Sequence, residues 1–224
     1  ACGAHCAWRS CDRPALQVVV LKALLFWFAC AAMICSCTAH AGAQIYEPLA
    51  ASTRAGLQAS IADSPASRHA FSNSMDAVNW LTEMAQRMEK RVPYLRTRLD
   101  LLRTVHYEAS RAGLDAQLVL AVIDVESSFR KFAVSSAGAR GYMQVMPFWV
   151  GLIGKEGDNL FYLRTNLRYG CAILRHYLDI EGGDLSRALG RYNGSLGKPE
   201  YPNLVLRAMR ASWRDDVARE SGRP

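Results

Sequence analysis

Glu126 lies inside an apolar helical run, Leu118 to Phe129, where a carboxylate has no obvious structural use. At about 100° per residue its side chain shares an arc with Val119, Val122, Ile123 and Phe129. Burying a carboxylate without a partner is costly, and the usual response is a raised pKa that leaves the group protonated. A carboxyl held protonated near neutral pH is what a general acid requires. The other acid of the run, Asp124, projects about 160° away, so this helix offers one acid and not a pair. Periodicity by itself favours the blander reading, a glutamate near its helix end reaching for water. Three segments further along the chain reverse that balance.

Gly138-Ala139-Arg140-Gly141-Tyr142-Met143-Gln144-Val145-Met146-Pro147 comes within a dozen residues of Glu126-Ser127. Asn159-Leu160 then precedes Asn166-Leu167-Arg168-Tyr169-Gly170, and Ala188-Leu189-Gly190-Arg191-Tyr192-Asn193 closes the set. In this order the four segments, Glu126-Ser127 included, resemble the motifs of the family-1 lytic transglycosylases: E-S, G-x-x-G-L-M-Q-hydrophobic-M-P, N-L with N-hydrophobic-x-x-G, and A-x-x-x-Y-N. The resemblance covers about residues 110–205. It departs at Tyr142, where leucine is usual, at Tyr162-Leu163 in place of Asp-Pro, and at Arg191 and Gly194-Ser195 around Tyr-Asn. None of these removes the acid, while Tyr142 and Arg191 would reshape sugar subsites.

The resemblance implies an all-α, goose-type-lysozyme-like fold and cleavage of the β-1,4 bond from N-acetylmuramic acid to N-acetylglucosamine in peptidoglycan. Ordinary glycosidases need two carboxyl groups. Here Glu126 would act first as acid and then as base, with the substrate's 2-acetamido oxygen standing in for the second carboxylate, leaving a 1,6-anhydro end. No metal or cofactor is implied. Ser127 and Tyr192 are expected to hold Glu126 or the acetamido group by hydrogen bonds, and Met143 and Gln144 to line the cleft. Tyr142 and Asn193 complete the candidate substrate-binding set, although Tyr192-Asn193 also reads as a helix end. Asn166 and Asn193 are expected to be structural more than binding, Gly138 and Gly141 to meet backbone needs, His106 and His176 to be surface or core residues rather than ligands, and Cys171 to pack in the core.

Two rival functions stay open on the sequence. A hydrolytic muramidase would need a second carboxylate, for which Glu156 and Asp158 are the candidates. A non-catalytic peptidoglycan-binding factor of a secretion or pilus machine would have no use for a dry carboxyl at residue 126.

The elements that must position these groups are set by composition and punctuation. Half of the 224 residues are hydrophobic, enough for one sizeable core. The net charge of +7 favours anionic partners, including an acidic cell-wall polymer. No basic run interleaved with aromatics and no zinc-finger pattern points to nucleic acid. Six of the seven cysteines precede residue 38, and only Cys171 lies beyond it, so the main domain must be held by packing.

Residues 1–41 read as a leader and secretory signal peptide: Lys22, an apolar block over 23–35, and Ala39-His40-Ala41 as cleavage signal. Export to a bacterial periplasm is expected, with membrane attachment only through an uncleaved signal or a lipid anchor. Residues 42–74, rich in Ala and Ser, read as a linker or loosely packed arm with room for a short helix near 50–61. A helical catalytic domain is expected over 75–215, with a tail at 216–224. Its helices should run from Asp76 to before Pro93, over 95–111, from an Asp115 cap through Glu126, from about Thr165 to Gly182, from an Asp184 cap to Asn193, and over 201–215. The expected partners are peptidoglycan glycan strands and cell-wall or secretion machinery, and a monomer is expected.

Overall fold

Eight α-helices and a closing π-helical turn make up the computed structural model, which describes residues 44–62 and 74–214. The helices are α1 Ala51–Ile61, α2 Ser74–Arg87, α3 Leu95–Arg111, α4 Ala116–Ser127, α5 Phe148–Ile153, α6 Leu163–Ile180, α7 Leu185–Asn193 and α8 Glu200–Ala208, with Met209–Trp213 as the π-helical turn. Among the described residues there is no β-strand, only isolated antiparallel bridges of Arg140 with Val134 and with Val145. The fold is the all-α class the sequence implied. None of these helices is long and apolar enough to cross a membrane. The expected signal peptide at 1–41 and the tail at 216–224 lie outside the described residues.

α4 is the central element. Leu118, Val119, Leu120, Ala121, Val122 and Ile123 are all buried, so the helix is covered on every side, as an all-round apolar sequence demands. α3, α8 and the π-helical turn pack on it. Its start is fixed by Asp115, whose carboxylate accepts the Gln117 backbone N–H at 2.8 Å. It stops because Ser128 and Phe129 both turn left-handed, with φ of 49° and 62°.

Two groups of polar contacts lock the helices around it. Asp124, on the face away from Glu126, accepts Nε and Nη2 of Arg91, each at 2.9 Å, and the Trp213 indole N–H at 3.1 Å. The Arg91 guanidinium lies 5.4 Å from the Trp213 ring centre, and Phe129 packs 5.2 Å from that ring. The π-helical turn is thereby pinned to the C-terminal end of the α4 segment at two points. On the other side Glu108 of α3 is buried against Arg168 of α6 at 3.1 Å, with Arg164 at 3.6 Å.

The structure revises several boundaries. α6 starts at Leu163, two residues before the expected Thr165 cap, and α5 was not anticipated. The last helix gives way to a π-helical turn after Ala208 and ends at Trp213. The segment expected to be a loose arm is instead docked over residues 44–62. Leu57 of α1 is buried, and the last carbonyls of the helix are capped from afar. Arg111 donates to the oxygens of Ser60 at 2.6 Å and Ala62 at 2.8 Å, and Arg168 to that of Ile61 at 3.4 Å. Arginines thus satisfy carbonyls that a helix end leaves unpaired.

Candidate active site

Glu126 is 3 % exposed in the last turn of α4. Its Oε1 accepts the Tyr201 hydroxyl at 2.6 Å, a bond that crosses from the first turn of α8. Burial pushes the Tyr201 phenol well above its ordinary range, and the nearby Glu126 charge pushes it the same way. The phenol therefore stays a proton donor throughout the neutral range. Tyr192, fully buried in α7, is raised by the same two causes in the same order.

The loop Gly141–Pro147 is tied to α4 beside this acid through Ser127 and is braced from α6 and α7. Asn166 on α6 is its keystone: Oδ1 accepts the Met143 N–H at 2.8 Å, and Nδ2 donates to the oxygens of Arg140 and Leu160, both at 2.8 Å. Gly141 has φ of 75°, and a Cβ there would stand 2.4 Å from Asn166 Nδ2 and 2.6 Å from the Leu160 oxygen. Only glycine fits. One turn beyond Asn166, Gly170 makes room for Met143, since a Cβ on it would meet Met143 Sδ at 2.4 Å and Cβ at 2.8 Å. The Tyr192 hydroxyl donates to the Met143 oxygen at 2.7 Å, closing the frame from α7.

Backbone strain gathers here as well. Among the described residues the three non-glycine positions with positive φ are Ser128, Phe129 and Gln144. Two lie just past Glu126 and the third sits in the Gly141–Pro147 loop. Each such conformation costs about 1–3 kcal/mol and persists only where the surroundings enforce it.

The structure redistributes the roles expected from sequence. Ser127 is a tie between α4 and the loop: its buried hydroxyl stands 2.8 Å from the Tyr142 oxygen and 3.1 Å from that of Ile123. Tyr192 likewise braces the loop, and it is Tyr201, missed in the sequence, that holds the acid. Tyr142, Met143 and Gln144 were expected along the cleft, yet all three are buried. The Gln144 amide nitrogen is spent on the oxygens of Gly141 at 2.8 Å and Ala133 at 3.2 Å. Arg191 is engaged with Glu181, and with Glu47 at 3.4 Å. Asn193 is buried at the end of α7, beside the left-handed Gly194. Asn166, expected to be structural, spends its whole amide on backbone groups of Met143, Arg140 and Leu160.

Gln44, from the segment read as a linker, also enters the site. Its amide nitrogen donates to the Gln144 oxygen at 3.3 Å and its Oε1 accepts the Met146 N–H at 3.0 Å. Of the candidate second carboxylates, Glu156 is exposed, and Asp158 is bound within its own region by the Tyr169 hydroxyl at 2.5 Å and the Lys155 N–H at 3.1 Å. Cavities of about 380 and 370 Å³ lie against α1, and neither is lined by Glu126.

This fold and site define an all-α domain with one buried carboxyl, Glu126, in the last turn of its central helix. Residues 103–201 match the family model of the transglycosylase SLT domain. Over 111 residues the chain is 33 % identical to a transglycosylase of Enterobacteria phage PRD1, an overlap of 46 % of this chain and 41 % of that protein. Over 109 residues it is 34 % identical to a membrane-bound lytic murein transglycosylase C of Yersinia pestis (strain Pestoides F), covering 42 % of this chain and 30 % of the relative. The same figures hold for the protein of that name from Yersinia pseudotuberculosis (serotype O:1b, strain IP 31758). The chain thus spans less than half the length of these curated relatives. No solved structure matches it.

Proposed function

We propose that the chain is a peptidoglycan lytic transglycosylase of the bacterial cell envelope, with Glu126 as its single catalytic residue. The observation that carries this reading is the Tyr201–Glu126 bond: a carboxyl 3 % exposed, gripped at 2.6 Å by a phenol that stays protonated. Glu126 protonates the glycosidic oxygen between N-acetylmuramic acid and N-acetylglucosamine. The 2-acetamido oxygen of the substrate stabilises the positive charge developing at C1. Glu126, now ionised, takes the proton from the muramoyl C6 hydroxyl, whose oxygen attacks C1 and forms the 1,6-anhydro ring. Water is not consumed.

The remaining site residues serve this chemistry by placement. Ser127 ties the Gly141–Pro147 loop to α4, while Asn166 and Tyr192 brace it through Met143 and Gln144 closes it on itself. Holding one group to within a fraction of an ångström matters more when that group performs both proton transfers.

Purified sacculi digested with wild type and with Glu126→Gln, then mass spectrometry of the released muropeptides, test the proposal. Wild type should yield anhydro-muropeptides, lighter by one water than hydrolysed products, and Glu126→Gln should yield none. Reducing ends alone would make the protein a hydrolytic muramidase. Release of nothing by wild type, with intact binding to sacculi, would make it a wall-binding factor.

A further inference from the structure

The outer side of the same loop region carries side chains for which the proposed chemistry has no use. Phe132 is 70 % exposed, and its ring lies 5.9 Å from that of Phe161 at an interplanar angle of 51°. Lys131 Nζ stands 5.0 Å from the Phe132 ring centre, and the Arg140 guanidinium 5.9 Å from that of Phe161. The order is cation, ring, ring, cation. Tyr162, next to Phe161 in the chain, is 63 % exposed. Among the described residues neither Lys131 nor Arg140 is paired with a carboxylate.

Leaving Phe132 and Tyr162 exposed on either side of a half-buried Phe161 forgoes the gain from burying them, and exposed apolar groups gathered in one place mark interaction sites. The platform is also tied to the site. Asn166 Nδ2 holds the oxygens of Arg140 and of Leu160, the neighbour of Phe161, while its Oδ1 holds Met143. One buried side chain thus ties the Arg140–Phe161 half of the platform to the loop of the site.

We propose that Phe132 and Phe161, flanked by Lys131 and Arg140, form a glycan-binding platform for peptidoglycan outside the catalytic site. The rings take the C–H faces of the pyranoses, and the two cations take carboxylates of the lactyl-peptide branches. Charge complementarity selects this occupant: the polymer presents apolar sugar faces and anionic branches at regular intervals, as the platform presents rings and cations. An anionic membrane fits less well, because attraction to lipid headgroups relies on clusters of roughly four to eight basic residues. The proposal rests on the reading of the protein as acting on peptidoglycan.

The test is Phe132→Ala and the double variant Phe132→Ala/Lys131→Ala, each made in a Glu126→Gln background that binds without cutting. Pelleting with purified sacculi should show affinity reduced about fivefold or more in the single variant and further in the double, with Phe132→Trp restoring it, since truncating a contact of this kind commonly costs that much. With Glu126 intact, Phe132→Ala should turn over a soluble tetrasaccharide muropeptide with kcat within about twofold of wild type, because the ring lies outside the acid's surroundings. Sacculus binding unchanged in both variants overturns the platform. So does a loss confined to vesicles of phosphatidylglycerol and phosphatidylcholine, which would assign the patch to a membrane. If wild type releases no muropeptides while the Phe132 effect on sacculi stands, the enzymatic reading falls and the platform survives.

Discussion

Removing the Tyr201 hydroxyl isolates the contact on which the proposed chemistry rests. Tyr201→Phe keeps the ring in its buried place and deletes only the 2.6 Å bond to Glu126. A hydrogen bond between neutral groups is worth about 1 kcal/mol and one to a charged group about 1.5–3 kcal/mol. As Glu126 gives up its proton the bond passes from the first kind to the second. The transition state therefore gains roughly 0.5–2 kcal/mol more from Tyr201 than the ground state does. At about 1.36 kcal/mol per decade, Tyr201→Phe should lower kcat about 2- to 30-fold, with KM little changed. The pH dependence has a definite sign. A donated bond favours the ionised carboxyl, so deleting it favours the acid form and moves the basic limb of the pH–rate profile upward. Steady-state release of anhydro-muropeptides across the acid-to-alkaline range, beside thermal unfolding of the same samples, reads both effects. A kcat within error of wild type together with an unmoved basic limb would refute the claim that Tyr201 acts on the acid.

Three further changes probe the frame around Glu126. Asn166→Ala deletes three bonds, two of them buried, and orphans their partners, so a loss of about 3 kcal/mol is expected, or a fall in Tm of roughly 6–12 °C by calorimetry. Gly170→Ala pushes a methyl into Met143, including its Cβ at 2.8 Å, and should cost about 1–3 kcal/mol in denaturant unfolding while lowering kcat through the displaced loop. Gln44→Ala removes both of its bonds to the loop backbone. It should reduce kcat several-fold, leave KM near wild type and lower stability by about 1–2 kcal/mol. A Gln44→Ala enzyme of normal kcat would show that the strap is only an attachment.

The helices that the sequence announced most clearly are those whose signals are local. α3 carries a clean apolar face through Leu101, Leu102 and Val105, and Asp115 and Asp184 cap α4 and α7 through backbone N–H groups two and three residues on. α1 had room in the sequence, but its docking escaped because the attachment is distant: one buried leucine, and carbonyls capped by Arg111 and Arg168 about 50 and 107 residues away. The acid was legible for the same reason as α3, a carboxylate at odds with the helical pattern around it. Its partner was not. Tyr201 lies 75 residues from Glu126 and, with Val205 four residues on, reads as the buried face of a helix. Tyr192 and Tyr201 are both buried phenols near one carboxyl, and only the packing of α7 and α8 around α4 decides which hydroxyl the acid receives.

That exchange of roles bears on the proposed mechanism, in which a single carboxyl serves twice. A donor meant to activate only an acid, or only a base, would be set for one protonation state. The Tyr201 hydroxyl can donate to Glu126 Oε1 in both, strengthening its bond as the proton leaves and relaxing as it returns. Burial raises its own affinity for the proton, as does the Glu126 charge, so the phenol does not compete in the transfer. Tyr192 cannot offer this, because its hydroxyl is committed to the Met143 oxygen and ties the loop to α7. On the proposed mechanism one phenol steadies Glu126 through its change of charge, while the other braces the Gly141–Pro147 loop. The strained backbone at Ser128, Phe129 and Gln144 is held in place by the same frame.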